Sequence, residues 1–220
     1  MGLGQIGMGY DYALDPCKFV LSHARSFSMH PDFELIGGVD PDPNQCANFE
    51  TEYKIQGYTN LERALSDLSP EVIVIATPSS SHGLILERIL RAHIPKVVVC
   101  EKPLDKSLAV ARHMVEMCNQ NHVKLFVNYI RRSEGSVIQI KNMIDDQVIQ
   151  APIKAVAWYS KGLLNNGSHM LNLLEYWLGD VVGHTMIDSN RCWNDSDPEP
   201  DFKVNFEKGS AIFCAGWEEY

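Results

Sequence analysis

A lysine at the end of a buried strand has the clearest chemical potential in this sequence. Residues 97–101 are Val-Val-Val-Cys-Glu, and Lys102 and Pro103 follow them. Such a lysine needs either a charged partner or a chemical task, because burying an uncompensated ammonium is costly. Glu101 could be that partner in a structural ion pair. In the functional alternative, Lys102 exchanges a proton with a substrate oxygen during hydride transfer, which requires its pKa to fall towards neutrality.

A GxGxxG turn stands at the start of the chain, as Gly2-Leu3-Gly4-Gln5-Ile6-Gly7. Glycines permit a tight turn and a close approach of the backbone to a ligand, and the amides of Gln5 and Ile6 could bind pyrophosphate oxygens. The motif alone is weak evidence, because glycines cluster in many turns.

Asp40 follows the next predicted strand and could complete a dinucleotide site. Its carboxylate would accept hydrogen bonds from an adenosine ribose and repel a 2′-phosphate, which favours NAD over NADP. Asp40 lies farther from Gly7 than the roughly 20 residues of the simplest fingerprint, and an insertion over residues 10–16 would absorb the difference. The alternative is a solvated Asp-Pro turn.

Polar residues also follow two other predicted strands. Residues 77–82 are Thr-Pro-Ser-Ser-Ser-His, and their hydroxyls and amides could bind a ribose or phosphates, although Ser81 could simply cap the next helix. Residues 128–132 are Asn-Tyr-Ile-Arg-Arg, where one arginine could hold a carboxylate or phosphate and the other be an ordinary surface residue.

A histidine lies in the first turn of a helix predicted over residues 166–178. Asn165 and His169 are four residues apart, and Asn172 lies one turn further along the same face, so that their polar groups could converge on one ligand. A histidine in this position is more often a helix cap or a packed core residue.

Composition restricts the class of protein. The 220 residues are 45% hydrophobic and 21% charged, which is typical of a globular chain with one full domain and part of a second. The net charge of −9 provides no basic surface for nucleic acid or an anionic membrane, so a small-molecule ligand is favoured. Six cysteines without a CxxC pair argue against a disulfide framework or a metal site. Without a membrane-length apolar run or a signal peptide, we expect a cytoplasmic protein.

Strands and helices alternate between residues 33 and 128, which indicates a doubly wound, Rossmann-type parallel sheet. Predicted strands cover 33–39, 72–76, 97–100 and 124–128, and predicted helices cover 18–27, 45–52, 61–68, 81–92 and 107–119. Right-handed crossovers would bring Asp40, Thr77, Glu101, Lys102 and Asn128 to one sheet edge.

The pattern changes near residue 151 to that of an α/β region with an open, mostly antiparallel sheet. Its predicted strands cover 153–159, 183–191, 202–206 and 210–217, with an exposed loop over 194–201. We therefore predict a dinucleotide-binding domain over residues 1–128 and a partial substrate and oligomerisation domain over residues 129–220. The glycine turn lacks a leading strand and the chain stops inside a predicted strand, so we expect a fragment whose first sheet strand is missing.

Together these motifs resemble those of the glucose-fructose oxidoreductase, inositol dehydrogenase and rhizopine-catabolism (Gfo/Idh/MocA) family of NAD(P)-dependent oxidoreductases. The resemblance rests on GxGxxG, Thr-Pro-x-x-x-His, Glu-Lys-Pro, Asn-Tyr-x-Arg-Arg and Gly-Ser-His, and covers almost the whole chain. It implies an enzyme that moves hydride between NAD and a hydroxyl carbon of a sugar, cyclitol or sugar nucleotide. It also implies an open sheet whose exposed face builds homodimers or homotetramers.

The resemblance assigns proton transfer to Lys102 and a substrate-side catalytic role to His169. The implied cofactor contacts are Gly2, Gly4, Gln5, Ile6, Gly7, Asp40, Thr77, Pro78, His82, Glu101 and Lys102. The implied substrate contacts are Lys102, Asn128, Tyr129, Arg131, Asn165 and His169.

Two asparagines depart from the family pattern. Many relatives have aspartate where Asn165 and Asn172 stand, and an asparagine cannot act as a carboxylate. A catalytically inactive, cofactor-binding regulatory or structural subunit is therefore the alternative function. A truncated product that does not fold stably is a third hypothesis.

Overall fold

The computed structural model describes residues 1–188, 191–194 and 196–216. The chain forms two compact units, Met1–Asn128 and Tyr129–Tyr220. In the part of the chain that the structure describes, no helix is both long enough and apolar enough to cross a membrane.

The first unit has a Rossmann-like arrangement of parallel strands and helices. Its strands are β1 (Gly38–Val39), β2 (Gly57–Tyr58), β3 (Val72–Ile75), β4 (Val97–Glu101) and β5 (Lys124–Asn128). Its helices are α1 (His23–Met29), α2 (Pro43–Tyr53), α3 (Leu61–Leu68), α4 (His82–Ala92) and α5 (Leu108–Gln120). β3, β4 and β5 form one parallel sheet in that order, and β1 and β2 form a separate parallel pair.

The parallel register of the three-stranded sheet fixes where its polar strand ends lie. Val74 pairs with Val99, and Glu101 at the end of β4 pairs with Asn128 at the end of β5. The carboxyl ends of β4 and β5 therefore share one sheet edge. Alternate residues such as Val98 and Cys100 are fully buried, which holds this edge in place.

Helix α3 shows how the local sequence produces the covering layer. The side chain of Asn60 caps the helix by accepting the amide of Arg63 at 2.8 Å. Leu61 and Leu65, four residues apart, point inwards and are buried with Ile73 in one apolar cluster. Burial of each such aliphatic side chain contributes about 1.5–3 kcal/mol to folding.

The strand predicted over residues 33–39 is mostly absent, and only Gly38–Val39 is a strand. Met1 accepts the amide of Ala76 at 2.8 Å, and Gly2 donates to the carbonyl of Val39 at 2.8 Å. Residues 34–37 line a cavity of about 540 Å³ together with residues 72–74 of β3. Residues 34–37 therefore border a cavity at the place where a neighbouring strand would have to lie to form hydrogen bonds with them.

The predicted helix over 18–27 is wrong in position, because α1 covers His23–Met29. A single helical turn begins at the glycine motif, where Met8 donates to the carbonyl of Gly4 at 2.9 Å. His23 then donates to the carbonyl of Ile6 at 3.0 Å, as the next turn of the same helix would do. Residues 8–22 are thus an excursion from a helix that resumes at His23.

Asp11 anchors this excursion from a fully buried position. Its carboxylate accepts the amides of Leu21 and Ser22 at 2.6 and 2.9 Å and the Ser22 hydroxyl at 2.6 Å. Burial alone would raise the pKa of Asp11, but these hydrogen bonds and the charge of Arg25 hold it below its usual value. Ser22 in turn caps α1 through the amide of Arg25.

The second unit contains a mixed four-stranded sheet and two longer helices. The sheet strands are β6 (Ile153–Tyr159), β7 (Val181–Asp188), β10 (Asp201–Phe206) and β11 (Gly209–Ala215). A short pair consists of β8 (Cys192–Trp193) and β9 (Asp197–Pro198), and the helices are α6 (Gly135–Asp145) and α7 (Ser168–Leu178). The sheet order is β6-β11-β10-β7, with β6 and β11 parallel and the other two pairings antiparallel.

One face of this sheet packs into the core with α7. Tyr159, Phe202 and Phe213 from the sheet are buried together with Leu174 and Leu178 of the helix. On β6 the intervening residues Val156 and Trp158 point the other way and are exposed.

Two predictions for the second unit need correction. The helix predicted over residues 166–178 is preceded by a π-helical turn over Leu163–Gly167. The helical segment therefore begins at Leu163, and its α-helical part is α7. The segment over 194–201 is not simply an exposed loop, because Asp197 and Glu199 are buried. The predicted strand end at Trp217 lies outside the described residues.

Candidate cofactor and catalytic site

The glycine motif forms a tight turn in which Gly2, Gly4 and Gly7 have different surroundings. Gly2 has φ +82°, and a Cβ there would lie 2.7 Å from the carbonyl oxygen of Ala76. A Cβ on Gly7 would overlap the carbonyl of Gly2. A Cβ on Gly4, by contrast, would meet no described protein atom within 4 Å. The fold itself therefore explains Gly2 and Gly7, whereas Gly4 borders open space.

Asp40 lies directly beside this turn. One carboxylate oxygen accepts the amide of Leu3 at 2.8 Å, and the other accepts the amide of Asp42 at 2.9 Å. The structure thus brings together the two halves of the predicted dinucleotide site, although residues 8–22 separate them along the chain. The half-buried Asp40 is held by main-chain donors rather than standing as a solvated turn residue.

The Thr77–His82 segment is a compact turn, and the His82 ring is hydrogen-bonded within it. The His82 ring is fully buried, with Nε2 2.8 Å from the carbonyl of Thr77 and Nδ1 3.1 Å from that of Leu104. Both ring nitrogens of His82 thus lie within hydrogen-bond distance of main-chain carbonyls, and its expected contact with a cofactor stays a prediction. Ser81 does not cap α4 with its side chain, since its hydroxyl donates to the carbonyl of Pro78 at 2.7 Å and lies 2.9 Å from the Thr77 hydroxyl.

Glu101 is the centre of a small polar cluster at the end of β4. Its Oε1 lies 2.7 Å from Nε2 of His23 and also accepts the side-chain amide of Asn128 at 2.7 Å. Burial raises the pKa of Glu101, but hydrogen bonds from His23 and Asn128, the charge of His23 and the backbone N–H of Lys102 lower it below the usual value. Glu101 is therefore an ionised carboxylate with several donors.

Lys102 follows this cluster at the sheet edge and is half-buried. It follows Glu101 directly, so the anchored carboxylate and the lysine are consecutive residues at the end of β4. The Lys102–Pro103 peptide bond is cis.

In the second unit, the predicted histidine lies where the π-helical turn meets α7. His169 is buried, and its ring packs edge-on against Tyr129 with centroids 5.7 Å apart. A short π-helical segment is unusual and is often found at functional sites. Asn165 lies within that segment, and its side-chain amide donates to the carbonyl of Lys161 at 3.1 Å.

Two buried carboxylates hold the start of this helix. Asp197 accepts the amides of Leu164 and Asn165 at 2.8 and 2.9 Å, and Glu199 accepts the amide of Gly162 at 3.1 Å. These amides have no partner within the helix itself, and a negative charge near a helix start is favourable.

The two consecutive arginines have different surroundings. Arg132 donates through Nε to Asn172 Oδ1 at 2.6 Å and lies 3.7 Å from Glu175. Arg131 is exposed. The side-chain oxygen of Asn172 thus binds Arg132, and its convergence on a ligand stays a prediction.

Comparison with known proteins adds to this geometry. A family model described as an oxidoreductase family with an NAD-binding Rossmann fold, GFO_IDH_MocA, matches residues 17–129. The chain belongs to the Gfo/Idh/MocA oxidoreductase family. The assignment confirms both the resemblance and the Rossmann-type fold class drawn from the sequence motifs.

Two relatives show how distant the similarity to individual proteins is. Inositol 2-dehydrogenase of Rhizobium meliloti is 28% identical over 125 residues, covering 56% of this chain and 37% of that protein. D-xylose 1-dehydrogenase [NADP(+)] of Haloarcula marismortui is 30% identical over 108 residues, covering 49% and 29%. The chain thus spans about a third of the length of these relatives.

A solved structure of the same fold is the WlbA dehydrogenase from Bordetella pertussis, in complex with NADH and UDP-GlcNAcA. Its TM-score is 0.73 at 18% sequence identity, covering 87% of this chain and 66% of that one.

The residues of the turn fit the NAD cofactor of the family. The space beside Gly4 allows a pyrophosphate to approach the backbone, and the amides of Gln5 and Ile6 lie within the turn that the Met8–Gly4 hydrogen bond closes. Asp40 stands next to the same turn and offers a carboxylate for a ribose.

Sequence reasoning missed three residues that organise these sites, namely His23, Asp197 and Glu199. His23 follows a long insertion and carries no motif of its own. Asp197 and Glu199 are two positions apart, a spacing that in extended chain places both carboxylates on the same side. That alternation was the available signal, but a charged, turn-rich segment is also typical of a solvated loop.

Proposed function

We propose that this chain provides the cofactor-binding and catalytic part of an NAD-dependent dehydrogenase that oxidises a hydroxyl carbon of a sugar, cyclitol or sugar nucleotide. The observation that carries the proposal is the Glu101–Lys102 pair at the end of β4, with the Glu101 carboxylate held by His23 and Asn128. Family membership and the names of the relatives, inositol and xylose dehydrogenases, support the substrate class.

The proposed reaction separates a hydride and a proton. NAD, when bound, supplies the hydride acceptor. Lys102 in its neutral form takes the hydroxyl proton at Nζ, so that the C–O bond becomes a carbonyl as the C–H bond breaks. In the reverse direction its ammonium returns the proton to the carbonyl oxygen.

In this proposal the other residues of the first unit bind and orient the cofactor. We assign the pyrophosphate to the amides of Gln5 and Ile6, the adenosine ribose to Asp40, and the second ribose to Thr77 and Pro78. The negative charge of Asp40 opposes a 2′-phosphate, which favours NAD over NADP.

In the second unit we assign substrate contact to His169, with Tyr129 packed against its ring. Asn165 offers a hydrogen bond to a hydroxyl but no carboxylate for a proton relay. Arg131, which is exposed, is the arginine available for an anionic group, since Arg132 is bound to Asn172.

A specific observation favours a second candidate function. The side-chain amide of Asn165 is hydrogen-bonded to the Lys161 carbonyl, at a position where the family resemblance implies an aspartate. A chain that binds NAD but lacks turnover would act as a regulatory or structural subunit.

We also propose that the chain self-associates through the outer face of its four-stranded sheet. Trp158 is 70% exposed, and Val156 and Ile212 lie opposite each other on the same outward face. Contiguous exposed apolar residues on a sheet face are typical of an interface. A second copy of the chain is the occupant that the family resemblance implies.

Binding and turnover distinguish the two candidate functions. NADH fluorescence is titrated with the purified chain, and reduced cofactor is then followed in the presence of myo-inositol, D-xylose or UDP-GlcNAcA. A dehydrogenase binds NADH and reduces NAD with at least one class of polyol. Binding with no turnover across the panel favours the regulatory subunit, and no NADH binding would refute both.

A further inference from the structure

We propose that His23 is a positioning residue for Lys102 and acts through the Glu101 carboxylate. Its effect on turnover rests on the proposed function, whereas its effect on the surroundings of Lys102 does not. His23 belongs to the helix that follows the glycine turn, far from Lys102 in sequence.

The first link joins His23 to Glu101. The imidazole Nε2 lies 2.7 Å from Oε1, and the two side chains are only 15% and 13% exposed. A hydrogen bond to a carboxylate in such a sheltered place is stronger than one in water. Asn128 donates to the same oxygen, so the carboxylate is held by one side chain of α1 and one of β5.

The second link joins Glu101 to Lys102. The carboxylate that His23 and Asn128 hold belongs to the last residue of β4, directly before Lys102. Movement of the carboxylate would therefore change the direction in which the chain leaves β4. A displacement of about 1 Å at a reacting group can lower a rate by about 100-fold.

The third link fixes His23 itself. Its backbone N–H donates to the carbonyl of Ile6 at 3.0 Å, and Ser22 caps the helix at the preceding residue. Ser22 is held by the buried carboxylate of Asp11. The glycine turn, the start of α1 and the end of β4 are therefore one hydrogen-bonded assembly.

The competing explanation is that His23 only pins α1 to the sheet. In that case its removal would lower stability while leaving the local environment of Lys102 as it was. A measurement on Lys102 itself separates the two roles.

The experiment compares His23→Leu, which removes the donor, with His23→Gln, whose amide retains a donor near the Nε2 position. His30→Leu is the matched control, because His30 is an exposed histidine just beyond the other end of α1. Lysines are reductively methylated with ¹³C-formaldehyde, and the Lys102 signal is identified by its loss in Lys102→Arg. Chemical shifts and melting temperatures are recorded without substrate.

We expect His23→Leu to move the Lys102 methyl signal, and His23→Gln to restore it in large part. With a substrate found for the wild type, kcat should fall at least about tenfold in His23→Leu while the Kd for NADH stays within about twofold. His30→Leu should change none of these values.

An unmoved Lys102 signal in a folded His23→Leu protein would overturn the proposal, whatever the change in melting temperature. If His23→Leu does not fold, Glu101→Gln provides the same test, because it weakens the charge-assisted bond at its other end. If the wild type turns over no substrate, the proposed function fails, and the Lys102 signal still decides the role of His23.

Discussion

The carboxylate of Asp197 accepts the backbone N–H of Asn165 at 2.9 Å and that of Leu164 at 2.8 Å. A single buried side chain thus satisfies two amides at the start of the helix that carries His169. We expect Asp197→Ala to lower the free energy of unfolding by about 2 kcal/mol, because both amides lose their acceptor. Urea denaturation checks this, with the exposed Asp180→Ala as the control. Equal effects of the two substitutions would contradict the helix-capping role.

Asp11 should make the stability of the first unit depend on pH. Its pKa in the folded chain is below its usual value, so its ionised form contributes stability above the unfolded pKa, and this stability is lost as the pH falls through the folded pKa. We expect Asp11→Asn to be destabilised by about 1–3 kcal/mol at neutral pH and the difference from wild type to shrink below about pH 4. Thermal unfolding at several pH values measures this. Asp15→Asn, an exposed carboxylate in the same excursion, should show little change at any pH. A difference that stays constant with pH would argue against the ionised anchor.

Lys102→Met should abolish turnover and leave cofactor binding in place. Methionine keeps the length of the side chain but cannot exchange a proton, so the loss should appear in kcat by a factor of about 100 or more. NADH fluorescence gives binding, and reduced-cofactor absorbance gives the rate. The exposed Lys124→Met, at the start of β5, is the control. Undiminished activity in Lys102→Met would refute its role in proton transfer.

Asp40→Ser should weaken NAD binding and shift the preference towards NADP. The substitution removes the negative charge that opposes a 2′-phosphate and the carboxylate that accepts the Leu3 amide. We expect the ratio of the NAD and NADP dissociation constants to change by about tenfold, as measured by fluorescence titration with the two reduced cofactors. Asp42→Asn, at the neighbouring helix cap, keeps a capping oxygen and should leave the ratio unchanged. An unchanged ratio in Asp40→Ser would exclude the ribose contact.

Trp158→Lys should dissociate any oligomer built on the outer sheet face. A charge placed among exposed apolar residues leaves an unpaired ammonium in the proposed interface, which is costly to bury. Sedimentation velocity should show a fall to monomer, whereas Val148→Lys, an exposed apolar position outside the sheet, should leave the assembly unchanged. A wild-type chain that is already monomeric at high concentration would refute the proposed interface.

The elements that were predicted well are those with local causes. Helix Leu61–Leu68 and strands Lys124–Asn128 and Ile153–Tyr159 have the predicted bounds. In each, the apolar period and the flanking polar or turn residues lie within a few positions of the element. The grouping of Glu101 and Asn128 at one edge follows from the same parallel register.

The features that escaped prediction depend on contacts between distant segments. The start of α1 is set by the Ile6–His23 hydrogen bond, which bridges an insertion that has no periodic signal of its own. The burial of Asp197 depends on amides of a helix far along the chain. No pattern within either segment records these partners.

The excursion over residues 8–22 begins at the glycine turn and ends where His23 is hydrogen-bonded back to that turn. The Asp11 carboxylate fixes its last two residues, Leu21 and Ser22. Its middle part can therefore change in size without altering the phase of α1. A reporter peptide or affinity tag spliced between Cys17 and Lys18, both exposed, would be displayed as an external handle while the glycine turn keeps its geometry.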